Sequence, residues 1–297
     1  MPIEYFIITV YCCIEELLRE ITNVRPLRSK GFAPKLTDAE VLAMEVVGEF
    51  MGMDTDKGIW EYFHSHWLSY FPKLGSRSNF VRQAANLWKI KQVIQEKLAG
   101  YLGAFDEGIH MCDGFPMPTC QFKRAYFSKI FKGEAAYGYC ASKDEKYFGF
   151  KGNVLIDSRG IITGLTVAAA NIDERISLWD IIDKIKGNII ADKGLIGADF
   201  KEELQKCRGI ELQTAVRGNM EENRSEKFVK YLISTRRLVE TVIGQLSERF
   251  HIEKVRARDT WHLTCRIARK ILAHTIAIFI NRQLGRAPLQ FDGLVVY

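Results

Sequence analysis

The sequence predicts an α/β protein: an all-α N-terminal domain over residues 1–105, then a mixed-sheet domain over residues 106–297. Three observations carry this. The first hundred residues repeat apolar side chains at three- and four-residue spacing between helix-capping signals. From Tyr101–Glu107 the texture changes to short apolar runs bounded by turn residues. Two of those runs, Ile109–Cys112 and Asn188–Ala191, end on an aspartate, Asp113 and Asp192. Open α/β sheets gather their sites at the carboxyl ends of strands.

In the N-terminal part, Thr37-Asp38-Ala39-Glu40 is a capping-box pattern ahead of Val41, Leu42, Met44, Val47 and Phe50, with Gly48 and Gly52 weakening the helix end. An aromatic cluster, Trp60, Tyr62, Phe63, Trp67, Tyr70 and Phe71, is broken by Pro72–Gly75. His64 and His66, two apart, suit no shared helix face and read as semi-buried histidines. Ser78 or Asn79 can cap a long helix through Phe80, Leu87, Ile94 and Leu98, with Arg77, Arg82, Lys89 and Lys91 near its start. A helix-turn-helix DNA reader and a plain helical packing domain both fit this pattern.

Past Asp113, Pro116 and Pro118 predict an irregular segment. Gln121–Lys151 then interleaves cations, among them Lys123, Arg124 and Lys143, with aromatics such as Tyr126 and Phe127. Cations neutralise phosphates and rings stack on unpaired bases, so the stretch points to nucleic acid, although some rings belong in a core. Phe148–Ile156 and Ile161–Ala169 form a hairpin about Asp157-Ser158-Arg159-Gly160, in which Asp157 is a turn former. Asn171-Ile172-Asp173-Glu174 reads as a helix cap, Asp199 as the cap of Phe200–Cys207, and Ile210–Val216 as a strand leading to Arg217. Strand, hairpin, helix, strand, helix, strand and long helix is the order of a ribonuclease H-like fold. There the first and fourth strands are parallel neighbours, which would set Asp113 beside Asp192.

The long helix carries the third acid. Phe228, Leu232, Thr235, Val239, Val242, Leu246 and Phe250 form an apolar stripe, with Glu240 at its edge, Arg236 and Arg237 one turn before it and Gly244 one turn after. A carboxylate there needs a partner, and a helical Gly costs roughly 1 kcal/mol relative to Ala. Together they suit a metal ligand with open space above it. From this stretch alone, a Glu held by its own Arg neighbours is the simpler reading. Two aspartates at adjacent strand ends with one helical glutamate can hold divalent metal through oxygen ligands and suit two-metal phosphodiester chemistry.

Composition bounds the partners. Residues 225–297 hold 13 Lys and Arg against 6 Asp and Glu, whereas the first 224 hold 29 against 30. The excess suits a polyanion beside the Glu240 helix, through Arg256, Arg258 and the basic amphipathic helix expected over Leu263–Asn281; a solvated basic face fits it as well. Seven scattered cysteines without a Cys-x-x-Cys pair indicate neither a disulfide framework nor a zinc site and suggest a reduced, cytoplasmic protein. The N-terminus makes a poor signal peptide, and Ile271–Ile280 is too short to span a bilayer.

Nearly the whole chain resembles the DDE transposases of bacterial and archaeal insertion sequences, most closely insertion-sequence family 982. The resemblance lies in Cys112–Pro118, Gln121–Ala125, Tyr137–Lys143, Asp192-Lys193-Gly194, Arg236–Thr241 and Trp261-His262-Leu263. It implies that Asp113, Asp192 and Glu240 are the catalytic and metal-binding triad, that the domain is ribonuclease H-like, and that the N-terminal helices bind transposon ends. The expected cofactor is Mg²⁺, with Mn²⁺ able to substitute, as two ions. The partners are double-stranded DNA and, in the synaptic complex, further copies of the chain, acting in the cytoplasm at the nucleoid. Arg236 or Arg237 would orient Glu240, and Lys193 would touch a phosphate. Family 4 transposases also carry a Tyr and a Lys at fixed helical spacing from the Arg and Glu. Ile233 and Ser247 stand at those places, so their hairpin-type end processing is not implied. Another metal-dependent nuclease on the same fold and a non-catalytic DNA-binding protein are the alternatives.

Overall fold

The computed structural model describes residues 1–24, 26–28, 33–141, 143–215 and 223–296. Contacts divide the chain into two compact units, Met1–Leu98 with Glu248–Tyr297, and Ala99–Ser247. The C-terminal segment therefore belongs with the N-terminal helices, not with the sheet domain to which the expected division at residue 105 assigned it.

The first unit is helical. It contains α1 (Ile3–Val24), α2 (Asp38–Phe50), α3 (Asp56–His66), α4 (Arg77–Asn86), most of α5 (Trp88–Tyr101) and, from the far end of the chain, α9 (Thr260–Gln283). The Thr37 capping box forms with both of its hydrogen bonds. Gly48 is not a weak helix end: a Cβ there would stand 2.5 Å from the Ile59 side chain, so it lets α2 and α3 pack closely. The single long helix expected after Pro72 is two, broken at Leu87, and its cap is Ser76 rather than Ser78 or Asn79. His64 and His66 are exposed, each against the ring four residues earlier, Trp60 and Tyr62.

The largest departure is in the basic residues. Lys91, Arg269 and Lys270 are buried and unavailable to a polyanion. Lys91 Nζ donates to Glu45 at 2.7 Å, Arg269 to Glu49 and Asp56 at 2.6 Å each, and Lys270 to Glu49 at 2.8 Å. Arg266 adds a 2.7 Å bond to Asp56. Burying charge is tolerable only in such closed pairings. Burial alone would raise the Asp56 pKa, but Arg269 and Arg266 outweigh it and hold it at about 2. The expected basic amphipathic helix is thus α9, a central helix buried on nearly every side from Ile267 to Ile278.

The second unit is a mixed α/β structure. It contains β1 (Ile109–Cys120), β2 (Ala136–Cys140), β3 (Glu145–Asp157), β4 (Ile162–Ala169), α6 (Glu174–Trp179), β5 (Gly187–Ala191), α7 (Ala198–Arg208), β6 (Ile210–Thr214) and α8 (Glu226–Glu248), whose last residue falls in the first unit. The sheet runs β2-β3-β1-β5-β6, with β4 also pairing β3. β1, β5 and β6 are parallel, while β3 is antiparallel to β1, β2 and β4. Pro116 and Pro118 do not interrupt β1. Its pairing with β5 ends at Cys112, so the prolines lie where the strand has a ladder on the β3 side alone, an edge that tolerates a missing N–H. β2 was not anticipated within the Gln121–Lys151 stretch. A Cβ on Gly149, which pairs with both β1 and β2, would stand 2.2 Å from the Met117 carbonyl oxygen.

The core on one side of the sheet gathers Cys112, Leu155, Leu178, Ile182, Ile189, Leu204 and Leu212, with Trp179 packed against it. Asp157 is the expected turn former, accepting from the Arg159 and Ile161 N–H groups. Asp199 is not a cap, because α7 begins at Ala198 after Gly197. Among the described residues no helix is long and apolar enough to cross a membrane. None of the seven cysteines, all among the described residues, forms a disulfide.

Candidate catalytic site

Two parallel strands bring the aspartates together. Cys112 on β1 pairs with Ala191 on β5, so the next residue of each is its aspartate. The residues just before each aspartate, Met111 and Cys112 on β1 and Ile189 to Ala191 on β5, are apolar and buried, as in inner parallel strands. Beyond it their paths diverge. β1 continues, leaving Asp113 19% exposed, while Asp192 opens the 3-10 turn Lys193–Leu195 and is 41% exposed.

α8 supplies the third acid. Its stripe folds as the spacing predicted, with Leu232, Val239, Val242 and Leu246 buried and Glu240 beside them on the exposed side. Arg236, one turn earlier, reaches all three carboxylates. Its Nη2 is 3.1 Å from Asp113 Oδ2, its Nη1 is 2.9 Å from Asp192 Oδ1, and Glu240 Oε1 lies 3.7 Å from Nη2. The Arg neighbour of Glu240 thus holds the aspartates more closely than it holds Glu240. A Cβ on Gly244, one turn beyond, would meet nothing within 4 Å among the described residues.

The electrostatics follow from this geometry. Burial raises the Asp113 pKa, and the nearby Asp192 adds to it; Arg236 and the Gly114 N–H, which donates to Oδ1 at 2.8 Å, oppose it. Burial would lower the Arg236 pKa, but Asp113, Asp192 and Glu240 together raise it. Three carboxylates offer the hard oxygen donors that Mg²⁺ or Mn²⁺ takes. Among the described residues no three acidic, His or Cys side chains are gathered tightly enough to hold a metal ion as they stand. The guanidinium is the cation that joins the three acids.

A fourth carboxylate, Glu174, was read in the sequence only as part of a helix cap. Asp173 is indeed the cap of α6, accepting from the Arg175 N–H. Glu174, the next residue, sends its carboxylate toward both aspartate-bearing segments. Its oxygens lie 3.3 Å and 3.1 Å from where Cβ atoms on Gly114 and Gly194 would stand. Two consecutive acids where a strand gives way to a helix were the available signal.

The remaining candidates are spread out. Lys193 is exposed next to Asp192, and Arg237 is exposed next to Arg236. Lys123 and Arg124 lie in the 3-10 turn Phe122–Phe127, whose Tyr126 and Phe127 are 86% and 80% exposed. Lys143 is exposed after β2. Arg256 and Arg258 are exposed in the helical unit, with Arg256 loosely paired to Asp54 at 3.7 Å. Arg217 lies outside the described residues.

No curated protein and no solved structure gives a significant match to the chain. A family profile described as the transposase DDE domain matches residues 104–260, more than half of the sequence and a span that includes Asp113, Asp192, Arg236 and Glu240. The chain belongs to the DDE transposase domain family.

Proposed function

We propose that the chain is the DNA transposase of an insertion sequence of family 982, with a ribonuclease H-like catalytic domain and Asp113, Asp192 and Glu240 as its catalytic, metal-binding triad. It binds the terminal inverted repeats, cleaves a strand at the transposon end and transfers the freed 3′-hydroxyl to target DNA. The observation that carries this reading is the convergence of those three acids on Arg236, two from adjacent parallel strand ends and one from a packed helix.

Asp113, Asp192 and Glu240 would hold two Mg²⁺ or Mn²⁺ ions. The chemistry such ions supply is Lewis-acid polarisation of the phosphate and activation of the attacking oxygen. The chain's own part is positional. The shared guanidinium keeps three like charges within reach of one point, and its planar fork can turn to a phosphate once they are otherwise neutralised. Lys193 and Arg237, both exposed beside the acids, would contact the DNA backbone. The exposed Tyr126 and Phe127, flanked by Lys123 and Arg124, suit bases unpaired at a cleaved end.

In the helical unit, the basic residues lining two small clefts beside α4 would meet the phosphates of a duplex lying across them. One, of about 350 Å³, is lined by Arg28, Lys35, Lys73 and Arg82; the other, of about 430 Å³, by Arg77, Arg82 and Trp261. A dimer or higher assembly would bring two ends together in the cytoplasm. The test is a labelled duplex carrying the flanking terminal repeat, incubated with Mg²⁺ or Mn²⁺ and a target plasmid. Cutting at the repeat tip and joining to the plasmid are expected, both lost in Glu240→Gln while end binding persists. Cutting without joining would point to a different nuclease, and binding without cutting to a DNA-binding protein.

A further inference from the structure

Glu174 stands at the strand ends of the proposed centre without belonging to the triad. One carboxylate oxygen approaches Gly114, directly after Asp113; the other approaches Gly194, two residues after Asp192. At 3.3 and 3.1 Å, a side chain at either glycine would press on the carboxylate. Two glycines thus leave open the space that Glu174 fills. The Cys112 thiol is pushed up by burial first, then by Asp113 and Glu174, as expected if both charges lie close to one stretch of β1.

The partner that Glu174 has is a weak one. Lys151 Nζ donates to Oε1 at 3.2 Å and also lies 3.4 Å from the Ile172 carbonyl. A second observation points beyond this pair. Asn153 faces Gly114 across the β1–β3 ladder and is 3% exposed. Its Oδ1 lies 3.1 Å from the same Cβ position on Gly114 that Glu174 approaches, and its Nδ2 has no hydrogen-bond partner among the described residues. A buried donor left unmade costs about 1–3 kcal/mol, a cost that an added oxygen acceptor would relieve.

We infer that Glu174 is a fourth cation-binding carboxylate of the centre. Lys151 is its resident counter-ion, and the Asn153 amide donates to a water or phosphate oxygen held there. This rests on the reading of Asp113, Asp192 and Glu240 as a metal centre. The experiment is calorimetric titration of Mn²⁺ into the metal-free full-length chain, comparing wild type with Glu174→Gln, Lys151→Met and Asp113→Asn. Glu174→Gln is expected to weaken binding at least tenfold or to remove one equivalent. Lys151→Met, which keeps the carboxylate and removes its rival cation, is expected to tighten binding several-fold.

If both variants titrate like wild type while Asp113→Asn loses binding, the metal centre stands and Glu174 is a structural ion pair. If wild type takes up no Mn²⁺, the metal-centre reading falls and this inference falls with it. Should Glu174→Gln fail to fold by circular dichroism, Gly194→Ala crowds the carboxylate without removing its charge. Weaker binding is then expected, and unchanged binding overturns the inference.

Discussion

Replacing Arg236 by Gln should make the candidate centre bind divalent metal more tightly. The guanidinium touches Asp113 at 3.1 Å and Asp192 at 2.9 Å and lies 3.7 Å from Glu240, so a metal ion using these oxygens must displace it. A charge-assisted hydrogen bond to a mostly buried carboxylate contributes about 1.5–3 kcal/mol. Asp113, at 19% exposure, qualifies; the Asp192 contact, at 41%, is discounted to about 0–1 kcal/mol for solvent screening. The 3.7 Å approach to Glu240 adds little. The total to be displaced is about 2 kcal/mol, or about 30-fold in affinity. Gln cannot neutralise the acids, so removing Arg236 also leaves the site more negative. Electron paramagnetic resonance of free Mn²⁺ measures the dissociation constant directly. Binding to Arg236→Gln no tighter than to wild type would refute the idea that the guanidinium and the metal compete for one place. Binding weaker than wild type would mean that Arg236 assembles the ligands rather than guarding them.

Three further outcomes follow from the helical unit and the sheet. Arg269→Met should lower stability to urea by about 3 kcal/mol, the low end for a broken buried pair, because Glu45, Glu49 and Asp56 each keep a second cation; tryptophan fluorescence suits the measurement, since four of the five tryptophans, Trp60, Trp67, Trp88 and Trp261, lie in this unit. Burial pushes the His274 pKa down to about 3 from an unfolded value near 6.5, so its contribution is full above about pH 6.5 and lost as pH falls toward 3. His274 alone should therefore account for a loss of about 2 kcal/mol at pH 5 relative to pH 8, and His274→Leu should lose less than wild type by about that amount in parallel urea titrations. Gly149→Ala should destabilise the sheet unit, since its Cβ would stand 2.2 Å from a backbone oxygen that no side-chain rotation can move; a thermal melt followed by circular dichroism reads this out.

Where the sequence was legible, one local rule decided the outcome. Asp113 and Asp192 could be placed because short apolar runs end on them, and a parallel pairing of those runs puts the next residues side by side. Asp157 could be set aside because a hairpin turn has its own use for an aspartate. The failures came where the answer lay in a distant partner. Nothing local marks Lys91, Arg269 and Lys270 as buried, since the acids that permit it lie 46, 220 and 221 residues away. Pro116 and Pro118 read as strand breakers because only the sheet order reveals where β1 lacks its second neighbour. Glu174 was hidden by Asp173, whose capping role accounts for an acidic pair without reference to the strand ends. The break at Leu87 carries neither Gly nor Pro to announce it.

The split composition of the helical unit also sets an order of assembly during synthesis. Glu45, Glu49 and Asp56 leave the ribosome early, whereas Arg266, Arg269 and Lys270 are made only after the entire sheet unit. Until then, of the cations that close this cluster, the nascent chain holds only Lys91. The unit that holds α2 is therefore the last to close, and a message cut short anywhere before α9 leaves Glu49 and Asp56 without the cations that allow their burial.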